Sequence, residues 1–226
     1  PDPSGEPRVA LGRHLPGHPM TPRARWTAIS MAALAWACGD IASPLRNDFY
    51  EWRLEAPSPS GSGVDTISFH WPSDRLPVRI WVEQTDPLPA DLSRAISIWR
   101  GQFLYGEWDA TVVSDSATAD VVVTSGGPSG SRLSAMRLES ALAPQCSGVT
   151  ELNVSDDHTQ LHLPVRVSIN PLLAPGAPGL DTCLALTVAH ELGHSLGIFR
   201  HSANPSDLMY LDPAVDLPSA RDRTTA

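Results

Sequence analysis

Residues 190–201 read His-Glu-Leu-Gly-His-Ser-Leu-Gly-Ile-Phe-Arg-His, and this stretch decides how the rest of the chain is understood. On an α-helix His190 and His194 lie four apart and project from one face, so two imidazoles can meet one metal ion. Glu191 is offset by about 100° from His190, which sets its carboxylate beside such an ion instead of on it. A general base needs that place, because it must take a proton from water without displacing the water. Gly197 can end the helix with φ > 0, after which the chain turns and His201 supplies a third nitrogen. Three protein ligands leave a position open, as in a catalytic zinc site and unlike a structural one. A lone His-Glu-x-x-His is often just a surface helix. The five residues His190, Glu191, His194, Gly197 and His201 coincide by chance with odds on the order of 10⁻⁵ in a chain with 8 His and 16 Gly among 226 residues.

Upstream, Leu184, Val188 and Leu192 supply the buried stripe of the same helix. Val78, Ile80 and Val82 alternate with Arg79 and Trp81, the period of a half-buried strand. Past Pro87 and Pro89, Leu92, Ala95, Ile96, Trp99 and Phe103 follow helical spacing. Val121–Val123 is a short β-branched run suited to a strand buried on both faces. Val165, Val167 and Ile169 alternate again, and Pro171 closes that strand. Thr124 to Ser134 is rich in Gly and Ser and reads as loop. No internal repeat is visible. Strand, helix, strand, strand, helix predicts an α+β fold, a small twisted mixed sheet with helices packed against it.

Composition excludes several classes. A hydrophobic fraction of 42% can bury a core, and Gly and Pro, at 16 and 22 residues, stay short of low-complexity levels. Every basic residue is Arg, and the net charge of -9 argues against a nucleic-acid binder. No apolar run reaches the roughly 18 residues of a membrane span. Residues 1–19 lack any period and read as upstream translation, with Met20 as the expected start. Residues 20–37, a basic start followed by the apolar run Trp26–Ala37, read as a secretory signal. Cys38 then stands where a lipoprotein cysteine would be acylated; ordinary cleavage after Ala37 is the alternative, and both export the chain. Residues 38–63 end in a Pro-Ser-Gly run and read as a tether, leaving 64–226 as the folded domain.

The long zinc motif, followed by Asp207-Leu208-Met209-Tyr210 with Met209 eight residues after His201, resembles the metzincin superfamily. Ser202 after the third histidine and Met-Tyr at the turn look like its matrixin branch. The likeness extends over about Leu76 to Leu217 in element order. It implies a zincin-like α+β fold, one catalytic Zn²⁺ held by His190, His194 and His201, and a Met-turn placing Met209 beneath the metal. It implies zinc-dependent endopeptidase activity with Glu191 as general base and then acid, on protein or peptide substrates lying extended along a strand edge within 131–154. Tyr210 to Pro213 would wall the pocket for the side chain after the cut. There are three departures. No cysteine-switch motif precedes the domain, and the extra structural metals lack a clear counterpart, His158 and His162 being weak candidates. The closing helix is shortened or missing.

Two other classes compete: a surface binding module that keeps the zinc helix without turnover, and a zinc hydrolase of non-peptide bonds. The expected protein is an exported monomer that meets the membrane only through a lipid on Cys38. If Cys38 is acylated, Cys146 and Cys183 remain as a pair that an oxidising compartment would bridge; two separate buried thiols are the alternative.

Overall fold

The computed structural model describes residues 49–127, 135–140 and 144–226. The expected upstream segment, the signal sequence and Cys38 lie outside the described residues. The fold is mixed α+β. Strands β1 (Leu54–Pro57) and β2 (Val64–Ile67) form an antiparallel hairpin. Then follow β3 (Val78–Val82), helix α1 (Leu88–Arg100), β4 (Ala110–Val112), β5 (Val121–Ser125), β6 (Ala135–Ser140), β7 (Cys146–Val154), β8 (Leu161–Pro171), helix α2 (Leu180–Ser195) and helix α3 (Ala220–Thr225).

The main sheet has six strands in the order β4-β3-β5-β8-β7-β6. Pairings from β4 to β8 are parallel, and β7 and β6 add antiparallel. Register aligns Val82, Val123, Val167, Thr150 and Leu138 across the sheet. Because side chains alternate with period two, this row shares one face. That face packs on α2, and α1 lies alongside α2. The apolar stripe expected for α1 is buried at Leu92, Ala95, Ile96 and Trp99. Trp99, fully buried, donates its indole N–H to the Ala189 carbonyl of α2 at 2.8 Å, which fixes how the two helices slide. Among the described residues, no helix is long and apolar enough to cross a membrane.

The expected boundary at residue 64 is corrected. The Pro-Ser-Gly run is the turn of the β1–β2 hairpin, with Ser58 and Gly63 bonded across it. Ahead of it, Tyr50, Trp52 and Leu54 pack against the core. Trp52 accepts a backbone bond from Phe199 at 2.8 Å, and the Tyr50 hydroxyl donates to Asp222 at 2.9 Å. Composition marked the turn as loose; three apolar side chains before it supply the burial that a tether lacks.

Candidate metal centre

Helix α2 begins after Gly179, which sits at φ 80, a left-handed conformation open to glycine at little cost. The helix runs one apolar face into the sheet and carries His190 and His194 fully buried on another. It ends in a Schellman arrangement: Ile198 N–H bonds the Gly193 carbonyl and Gly197 N–H bonds that of His194. Gly197 is required twice over. Its φ is 112, and a Cβ there would lie 2.0 Å from the Phe69 carbonyl oxygen. Trp71 closes the same end by donating its indole N–H to the Ser195 carbonyl at 2.9 Å.

The chain then returns His201 to the pair. Nε2 of His194 lies 3.1 Å from that of His190 and 3.2 Å from that of His201. Nδ1 of His190 faces the Leu208 carbonyl at 2.8 Å, and Nδ1 of His194 faces that of Ile198 at 2.5 Å. Those carbonyls only accept, so each Nδ1 carries the proton and each Nε2 presents a bare lone pair. Bare lone pairs converging at this spacing repel unless a cation lies among them. Tetrahedral zinc with bonds of about 2.0–2.1 Å separates its nitrogen ligands by about 3.3 Å, so the residues fit the ion. Among the described residues, His190, His194 and His201 are the one group of this kind whose atoms converge. His158 instead pairs with Asp65 at 3.0 Å.

Burial pushes the His190 imidazole down to about 3, against the lesser opposing effect of its bond to Leu208. Burial also holds His194 well below its ordinary range and lowers His201. The sign for stability follows. Between about 3 and the ordinary 6.5 of His190, the unfolded chain binds protons that the folded, metal-free chain refuses. Stability of the chelator-treated protein is therefore expected to fall as pH drops through that window. Urea midpoints at pH 7.5 and pH 5 check this, and an equal or higher midpoint at pH 5 would contradict it.

Glu191 is fully buried, and its carboxylate lies in a socket made by β7. The Thr150 hydroxyl donates to Oε2 at 2.6 Å. A Cβ on Gly148 would stand 2.4 Å from Oε1 and 2.5 Å from the Thr187 methyl, so only glycine leaves room. Neither residue is legible from the sequence as part of the site, since no motif joins β7 to α2. Gly148→Ala is expected to overpack the socket, with about 1–3 kcal/mol lost. Urea unfolding of the variant and of wild type reads that loss. An unchanged midpoint would remove Gly148 from the socket.

Met209 is fully buried with its sulfur against Gly193, where a Cβ would meet Sδ at 2.3 Å. The Met209 turn is braced from two sides. Ser202 N–H bonds the Met209 carbonyl at 2.8 Å, while Asp207 takes bonds from the Ser202 hydroxyl and from Arg221, the latter at 2.6 Å. From below, the fully buried Asp222 carboxylate accepts the N–H of Leu208 at 2.8 Å and that of Met209 at 3.4 Å. Asp222 belongs to α3, a short helix with a Ser219–Asp222 capping box. Of the two expectations for the closing helix, shortened or missing, the six-residue α3 agrees with the first, and the capping-box spacing was its available signal. Tyr210 is half-buried and bridges to Ser202, and Pro213 is buried. An open groove beside α2 is lined farther on, by Leu186, Ala214 and Asp216.

A disulfide joins Cys146, at the start of β7, to Cys183, in the first turns of α2, with Cα atoms 6.1 Å apart. Closing a loop of this length restricts the unfolded chain by about 3–4 kcal/mol. It also ties the strand carrying Gly148 and Thr150 to the helix carrying Glu191.

No family model matches the chain, and no curated protein does. Among solved structures it is similar to myroilysin, at 12% identity and a TM-score of 0.37, over 69% of this chain and 92% of that one.

Proposed function

We propose that this chain is a zinc-dependent endopeptidase of metzincin type, matrixin-like in its Met209 turn. The observation that carries the reading is the convergence of the Nε2 atoms of His190, His194 and His201 at the helix that also carries the buried Glu191 carboxylate. An N₃ donor set with an open position favours zinc. Zinc held there would act as a Lewis acid on a scissile carbonyl and on water. His190 and His194 are oriented for it by the carbonyls of Leu208 and Ile198. Glu191, its carboxylate held at Oε2 by Thr150, would take a proton from water and pass it to the leaving amine. Met209 supplies an apolar floor that keeps water from below the rings.

The substrate is a protein or peptide, and the chain acts as an exported monomer, freely secreted or tethered by a lipid on Cys38. The Cys146–Cys183 bridge supports export, because such bonds persist in oxidising compartments. Digestion of a broad peptide library by the zinc-loaded chain tests the proposal, with Glu191→Ala as control. Metal uptake without cleavage of any peptide would sink it and leave the silent binding module standing.

A further inference from the structure

We infer that β6 occupies the line along β7 that an extended substrate would take, so the chain's own strand must leave before a peptide reaches the metal centre. The inference rests on the peptidase reading above. β6 pairs antiparallel with β7 on the edge away from β8, from Ala135 opposite Asn153 to Ser140 opposite Gly148. Leu138 stands opposite Thr150. Thr150 and Gly148 are the two β7 residues that hold the Glu191 carboxylate. The stretch of β7 edge nearest the proposed base is therefore already hydrogen-bonded. Leu138, at 7% exposure, buries its side chain on the same face as Thr150, towards α2.

Strand spacing decides where a substrate can lie. Neighbouring strands sit about 4.8 Å apart, so a peptide paired with β7 would lie one spacing from the Glu191 socket. A peptide added to the outer edge of β6 would lie two spacings away, roughly 10 Å. A general base works within about 2.6–3.2 Å of the proton it takes, or through one water. The inner line satisfies that limit and the outer one does not. β6 thus stands where strand addition would seat a substrate, satisfying the same β7 backbone groups.

Side-chain contacts hold it there. Leu138 packs inward, and on the opposite face Arg137 Nε donates to Glu151 at 2.9 Å. Glu151 is 7% exposed with β6 in place, and departure of β6 would open it to water. The ion pair therefore favours the occupied arrangement over the vacated one. Truncating Arg137 shifts the balance towards an open edge.

The test uses the zinc-loaded chain. Glu139 and Val149 are directly opposite across β6 and β7. Glu139→Cys combined with Val149→Cys, once oxidised, should cut peptide turnover at least tenfold, with recovery on mild reduction. Wild type under the same reductant controls for the native disulfide. Arg137→Ala should raise turnover by about fivefold, the population shift expected from losing one partly buried pair. Amide hydrogen exchange reads the same event without turnover: binding of a tripeptide hydroxamate should speed exchange in β6 while β7 stays protected. A crosslinked variant that cleaves as fast as wild type, or β6 amides that exchange no faster with hydroxamate bound, would overturn the occupancy and leave the peptidase reading intact. Failure of wild type, Arg137→Ala and the reduced double variant to cleave any peptide would sink that reading and this inference with it.

Discussion

Glu191→Ala is expected to keep its metal and lose peptide turnover by about 10²–10⁴-fold, the usual contribution of a positioned proton-transfer group. The two halves of this result have separate causes. Metal retention follows because the three imidazoles are oriented by carbonyls of Leu208 and Ile198 and by the turn at Gly197, none of which involves Glu191. Loss of turnover follows because the truncation removes the carboxylate that the Thr150 hydroxyl holds in the socket. The truncation also empties a buried site, so some stability change will accompany it. Zinc content by atomic emission, together with kcat and KM on one cleaved peptide, separates these effects. Stoichiometric loss of zinc would make Glu191 part of the ligand set, and activity within tenfold of wild type would remove it as the base.

The second large effect is expected at a residue far from the motif. Asp222→Ala should lower stability by about 3–5 kcal/mol, because it strips the partner from several buried donors at once. The Asp222 carboxylate accepts the backbone N–H of Leu208 and of Ser219, each at 2.8 Å, and the hydroxyl of Tyr50 at 2.9 Å. Burial, with the neighbouring Asp222 carboxylate, pushes the Tyr50 hydroxyl far above its ordinary range, so it stays a donor. At this chain length each kcal/mol moves the melting midpoint by about 2–4 °C, so a fall of about 10 °C is expected in a thermal scan. Metal affinity should fall with it, since the Leu208 carbonyl that orients His190 belongs to the same turn. Asp222→Asn retains one acceptor oxygen and should lose less. A midpoint within about 2 °C of wild type for Asp222→Ala would show that the Met209 turn stands without α3.

Local spacing made His190, Glu191, His194, Gly197 and His201 legible as a group, because a helix converts sequence separations of one and four into fixed angles. The alternation at Val78–Val82 and Val165–Ile169 likewise announced strands, and the Leu92–Trp99 stripe announced a helix, since each needs only a period and a partner surface. What the chain could not disclose along its length is what meets across it. Thr150 and Gly148 form the Glu191 socket 41 residues from Glu191 in the case of Thr150, through a register that no motif encodes. Tyr50 and Asp222 are 172 positions apart, yet their bond ties the first described residues to the last helix. Composition called 38–63 a tether because Pro, Ser and Gly dominate its end, whereas a hairpin uses the same residues as its turn. The strand order, with β6 outermost beside β7, depends on competition among edges for backbone partners. Periodicity can identify a strand, but only the folded sheet decides which neighbour it finds.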